Sequence, residues 1–218
     1  MRCDGKDVLA LWNDTEPTLD QEYNEWHAGE HVPERLTVPG MLNAYRYKNA
    51  ENTLYPYFTL YEMRDLSTLE TPEYKRLLSH PTPWSQKMRQ HFKHIRRVVC
   101  HGIESSPNLG EPAQALLVVT VAAAQLSPNV FMDKCLAHFA EQVKSWRFAM
   151  EDTTVAALPW ASHKEVKDVQ KMLVLVEMDD AEPLCNQLSD LFINLEINQF
   201  TLERYDFLNQ FKTKKIIE

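Results

Sequence analysis

The feature that most constrains this chain is a weak internal repeat. Phe58-Thr59-Leu60-Tyr61-Glu62-Met63-Arg64-Asp65 lines up with Leu173-Val174-Leu175-Val176-Glu177-Met178-Asp179-Asp180 at an offset of 115 residues, and both end Glu-Met-x-Asp. The elements around the two copies follow one order. Alternating and β-branched or aromatic runs predict strands at 8–13, 41–48, 55–63 and 97–103. A helix is predicted over 18–31, with Thr18 and Gln21 as a capping box and Pro33 ending it. Further helical pieces are predicted at 71–79 and 84–95, on either side of the stiff break His80-Pro81-Thr82-Pro83. The second half repeats this order: strand 115–123, helix 128–146, strand 171–178, helix 183–192 and strand 199–207. Between them, 148–159 carries a poor signal for one more strand.

Two successive β-α-β-β-α-β orders are two ferredoxin-like units. Each such unit covers one sheet face with helices and leaves the other apolar. The fold class expected is therefore α+β, with two tandem units pairing their antiparallel sheets into an α+β barrel. The expected units span 1–106 and 113–218, joined by the Pro-, Asn- and Gly-containing stretch at 105–112. Each is of ordinary small-domain size.

Composition narrows the function classes. The formal net charge of −8 argues against a nucleic-acid partner, which needs clustered Lys and Arg. The longest apolar run, 116–124, is interrupted by Thr120 and falls short of the roughly 20 residues of a membrane span. Residues 1–7 contain no apolar segment of signal-peptide type. Cys3, Cys100, Cys135 and Cys185 are far apart, without redox or metal spacing, so a reduced cytoplasmic protein is expected. Only five glycines are present and none forms a phosphate-cradling loop.

One stretch crowds titratable and aromatic side chains: Tyr23-Asn24-Glu25-Trp26-His27-Ala28-Gly29-Glu30-His31-Val32-Pro33-Glu34-Arg35. Tyr23, Trp26, His27, Glu30 and His31 share one broad helical face. Two imidazoles at i, i+4 with a nearby carboxylate suit general acid/base chemistry near neutral pH. His31 is the expected acid/base, with His27 and Glu30 orienting it. His-x-x-Glu-His is also the inverted zinc-peptidase spelling, but Gly29 and Pro33 make a poor frame for two metal ligands, and no metal is expected. A structural reading stands beside these: Tyr23 and Trp26 as core, His27 at a helix end, and Glu30 and Glu34 solvated with Arg35 as a local ion-pair partner. The next strand alternates Leu42, Ala44 and Arg46 against Met41, Asn43, Tyr45 and Tyr47. If it lines a cavity, Arg46 needs a carboxylate, from Glu62 or from a ligand. Trp12 and Asn13 end the first strand near the same mouth, and Trp84 follows a proline-stiffened loop able to cover it. The second half has no equivalent crowd and is expected to be a structural partner.

Trp26-His27-x3-His31-Val32-Pro33, Val38-Pro39-Gly40 and Ala44-Tyr45-Arg46-Tyr47 resemble the EthD-like branch of the dimeric α+β barrel superfamily, over roughly residues 7–103. The resemblance implies a barrel of two four-stranded sheets with an internal ligand cavity, and His31 in the place of the branch's histidine. It also implies a range of chemistries: cofactor-free monooxygenases, cyclases and dehydratases, isomerases and haem-handling enzymes.

The function expected is proton-transfer catalysis, without metal or bound organic cofactor, on a small aromatic or polyketide-like compound. Isomerisation, dehydration and cyclisation are the candidate outcomes. Arg46 would hold a carboxylate or enolate oxygen, and Trp12, Trp26, Tyr47 and Tyr61 would wall a hollow between the two sheets. A non-catalytic binding or stress-response module and a haem-linked enzyme using His27 or His31 stay open. The partners expected are a small molecule and, in some assemblies, a second copy of the chain, with no nucleic acid and no membrane.

Overall fold

The structure is a computed structural model and describes residues 4–107, 112–155 and 169–213. Eight strands close a barrel: β1 (Asp7–Asn13), β2 (Met41–Lys48), β3 (Tyr57–Met63), β4 (Ile95–Ser105), β5 (Ala115–Ala122), β6 (Val143–Glu151), β7 (Lys171–Met178) and β8 (Phe200–Lys212). The order round the barrel is β1-β3-β2-β8-β5-β7-β6-β4, all antiparallel. Two ferredoxin-like sheets, β4-β1-β3-β2 and β8-β5-β7-β6, are thus joined edge to edge through β2–β8 and β4–β6. Closure removes every free edge.

The helical segments are α1 (Asp20–Trp26), α2 (Val32–Arg35), α3 (Pro72–Ser79), α4 (Pro83–Arg89), α5 (Pro128–Phe131) and α6 (Glu182–Asn194). Thr71 and Thr82 cap α3 and α4, each accepting a backbone N–H with its hydroxyl. The capping box expected at Thr18 does not form. Pro17–Leu19 is a 3₁₀ turn, α1 starts at Asp20, and the Gln21 amide donates to Glu25 instead. The helix expected over 128–146 is also shorter. Helical turns end at Phe139, and Val143 and Trp146 belong to β6, which begins before the weak signal at 148. Residues 108–111 of the expected linker, Cys3, the side chains of Cys135 and His138, and residues 156–159 lie outside the described residues. Among the described residues no helix is long and apolar enough to cross a membrane.

The barrel interior is filled. Trp12, Tyr45, Tyr47, Phe58 and Tyr205 meet Val8, Leu60, Val98, Leu116, Val118 and Leu175 inside it, all buried. The expected hollow between the sheets is therefore absent from the described residues. The repeat explains part of this packing. Glu62 lies opposite Val8 and Asn43, and Glu177 lies opposite Leu116 and Ser145, so the two glutamates hold equivalent places. Glu62 accepts from Asn43 Nδ2 at 2.8 Å and takes Arg147 Nη2 at 3.3 Å; Glu177 accepts from Tyr47 at 2.9 Å and Ser145 at 2.6 Å. The other rows of β1, β3 and β4 point outward, towards the helices. Leu9, Tyr61 and Val99 form a separate core with Val32, Leu36 and Tyr74.

Candidate active site

The crowded segment folds as one bent helix. Between α1 and α2, His27–His31 make a π turn, in which the Val32 N–H donates to the His27 carbonyl five residues back. The wider turn admits Pro33, which has no N–H, at the start of α2, so the helix runs on to Arg35 instead of stopping near His31. It also brings the histidines together. The His27 and His31 rings lie 5.1 Å apart by centroid, His31 lies 4.5 Å from Trp26, and His27 lies 5.3 Å from Tyr23. His27 is 4% exposed, whereas His31 is half-buried.

Beneath them is a cavity of about 50 Å³ between the helices and the outer face of the first sheet. Leu9, Leu11 and Asn13 of β1, Tyr61 of β3 and Ile95 and Arg97 of β4 make its floor. Trp26, His27, His31 and Arg35 make one wall; Tyr74, Leu78, Arg89 and Phe92 make the other. Among the described residues no carboxylate lines it. His27 Nδ1, His31 Nδ1, Arg35 Nη1 and the Tyr61 hydroxyl are buried and have no hydrogen-bond partner. Such groups are costly to bury unless something pairs with them.

Burial, above all, holds both imidazoles well below the ordinary histidine range. For His27 the Arg46 charge adds to it, then His31 and Arg35; for His31 Arg35 adds to it, then Arg89 and Arg46. Burial likewise pushes the Tyr61 and Tyr23 phenols up.

The cavity gathers five of the expected site residues: His27, His31, Asn13, Trp26 and Tyr61. The others are placed elsewhere. Glu30 orients neither histidine; its carboxylate accepts from Thr82 at 2.5 Å and Ser85 at 3.3 Å, and Ser85 in turn accepts the Trp26 indole at 3.2 Å. This latches α4 to the π turn. Arg46 pairs with neither Glu62 nor the cavity. Its row faces the helices, where Nη2 donates to Asn24 at 2.9 Å and the guanidinium lies 5.7 Å from the Tyr23 ring. Trp12 and Tyr47 are on inward rows. Trp12 lies 3.6 Å under the Arg96 guanidinium, and Tyr47 bonds Glu177. Trp84 donates to Glu22 at 3.1 Å on the far side of α4. Sequence reasoning missed Arg35, Arg89 and Arg97. Only Arg35 gave a signal, four residues after His31 and so on its helical face.

In the second half, Val176 stands where Tyr61 stands in the first, within a core filled by Phe131, Leu136, Leu184 and Phe192. Among the described residues no group of three or more His, Cys, Asp or Glu side chains could hold a metal ion. A haem does not fit either. A porphyrin is far larger than this cavity, and both histidine Nδ1 atoms are buried behind aromatic rings.

No protein-family model matches the chain, and no curated protein matches it significantly. Solved structures do. An anthrone oxidase-like protein superposes with a TM-score of 0.63 at 9% identity, covering 99% of this chain and 97% of its own. A putative monooxygenase from Fusobacterium nucleatum gives 0.58 at 10% identity, with 96% and 95% covered. A chlorite dismutase from Candidatus Nitrospira defluvii gives 0.57 at 10% identity, with 94% and 92% covered. At these identities the likeness shows the fold, a dimeric α+β barrel architecture made here within one chain.

Proposed function

We propose that the cavity is the active site of an enzyme that removes a proton from a small, single-ring aromatic compound, with His31 as general base. The observation that carries this reading is the pair of buried imidazole Nδ1 atoms without hydrogen-bond partners, in a cavity lined by three arginines and, among the described residues, by no carboxylate. An imidazole held below its usual range is unprotonated at neutral pH and available as an acceptor. His31 is half-buried as a residue, while His27 is buried and stacked beside Tyr23. The anion left behind is stabilised by the fixed charges of Arg35, Arg89 and Arg97 in a low-dielectric space. Return of the proton to another carbon gives isomerisation; its delivery to a departing hydroxyl gives dehydration. The apolar floor of Leu9, Leu11 and Ile95 takes the ring once the overlying helices part, because about 50 Å³ is smaller than the roughly 150 Å³ that holds benzene. Membership of the EthD-like branch is part of the same proposal and rests on the His-Val-Pro and Pro-Gly motifs.

A second reading keeps the same base and gives the resulting carbanion to dioxygen. The likeness to an anthrone oxidase-like protein and a putative monooxygenase favours it. One experiment serves both. Phenols and aromatic ketones are incubated with the protein in D₂O, and C–H exchange and oxygen uptake are followed. The expected result is exchange at one carbon, slowed about 10²–10⁴-fold by His31→Ala. Oxygen uptake coupled to exchange selects the second reading. Tight binding without exchange or uptake marks a non-catalytic module and overturns both.

A further inference from the structure

We infer that the compound carries a carboxylate beside its aromatic ring, and that Arg35 with Arg89 holds that carboxylate. The inference deepens the proposed function and rests on the same cavity. Its first support is charge. The chain as a whole is at −8, yet among the described residues the cavity's lining holds Arg35, Arg89 and Arg97 and no aspartate or glutamate, and of the three only Arg35 is buried. A buried cation is costly without a counter-charge.

Arg35 is the clearest case. It is 5% exposed, its Nη1 has no hydrogen-bond partner, and no carboxylate among the described residues forms an ion pair with it. The Tyr74 ring lies 5.9 Å from its guanidinium carbon, and the half-buried Glu34 carboxylate, next in the chain, acts on both Arg35 and Arg89 by charge without forming an ion pair with Arg35. Of the other buried arginines, Arg96 meets Glu203 at 3.1 Å and Arg147 meets Glu62 at 3.3 Å, while Arg46 donates to Asn24. Arg35 differs from Arg96 and Arg147 in lining the cavity with a buried Nη1 that no group among the described residues takes.

Arg89 stands across the cavity on α4, fixed by donating to the Leu77 and Leu78 carbonyls at 3.3 and 3.2 Å. Burial, then the charge of Arg35, lowers its affinity for its proton, so the two guanidiniums repel across the site. An anion between them relieves that repulsion. A carboxylate suits the planar fork of a guanidinium, and apolar walls beside it suit a ring. The same anion lies near His31, where its charge stabilises the imidazolium formed on proton transfer.

The test uses benzoate against benzamide, near-isosteric molecules that differ in charge. Binding to the whole chain is read by quenching of tryptophan fluorescence and by calorimetry. Benzoate is expected to bind at least 10-fold more tightly than benzamide. Arg35→Met is expected to erase that preference, and Arg35→Lys to keep part of it. His31→Gln is expected to keep the preference while abolishing proton exchange, so that failure of the base assignment and failure of this inference read differently. Circular dichroism and the melting curve of each variant identify a folding loss, and Arg89→Lys then gives an independent reading of the same preference. Equal binding of acid and amide by the unaltered protein overturns the inference. So does a preference that survives in folded Arg35→Met.

Discussion

The guanidinium of Arg147, on β6 in the second half, reaches the carboxylate of Glu62, on β3 in the first, at 3.3 Å, with both side chains almost wholly buried. Breaking such a pair leaves one charge alone in the core, whereas replacing both partners with apolar groups does not. Glu62→Ala is expected to cost about 3–5 kcal/mol in urea denaturation. Glu62→Leu with Arg147→Met is expected to regain most of that loss. A double variant no more stable than the single one contradicts the assignment.

Two glycines should respond in opposite ways. A Cβ on Gly29 in the π turn meets nothing within 4 Å, so Gly29→Ala is expected to leave stability unchanged or raise it by up to about 1 kcal/mol. Gly40 has φ of +96° and faces the Thr68 hydroxyl, so Gly40→Ala is expected to lower the melting temperature clearly. Thermal melts decide both; a strongly destabilised Gly29→Ala rules out the π turn drawn here.

Ser85 joins the Trp26 indole N–H to the Glu30 carboxylate. Ser85→Ala leaves that buried donor unpaired, at a cost of about 1–3 kcal/mol. Because the bond ties α4 to the π turn, amide exchange across α4 is expected to speed up as well. Unchanged exchange in α4 contradicts the latch.

The histidines predict a pH dependence. His27 and His31 titrate well below 6.5 when folded and near 6.5 when unfolded. As pH falls below about 6.5 the unfolded chain takes up protons that the folded chain refuses. Stability is therefore fully present above that pH and falls beneath it, by up to about 1.4 kcal/mol per pH unit for each ring, until the native values are reached. Between pH 6.5 and 5.5 the slope is expected to flatten in His27→Gln with His31→Gln. Parallel slopes in the two proteins count against buried, uncharged imidazoles.

Much of the architecture is legible in the sequence because it rests on local patterns. The echo of Glu62 and Glu177 marks equivalent barrel positions, and the alternation 41–48 separates the two rows of β2 correctly for Asn43 to Tyr47. Which row faces inward is not legible, because both rows carry aromatic or apolar side chains. That is why Trp12 and Tyr47 were expected in the site and are found in the barrel core. Pro33 reads locally as a helix end; only a π turn makes it tolerable, and that turn has no composition signal. Arg89 and Arg97 carry no signal in the sequence, since they meet Arg35 only in the folded chain, where all three line one cavity. The helix carrying His27 and His31 was legible; the side of the sheet it covers was not.

The central claim is that His31 stands uncharged in a cavity built for an aromatic anion. Its imidazole titration, followed by nuclear magnetic resonance with and without benzoate, tests this most directly. The account predicts a pKa well below 6.5 in the free protein and an upward shift when benzoate binds. A ring that titrates near 6.5 and ignores benzoate contradicts it.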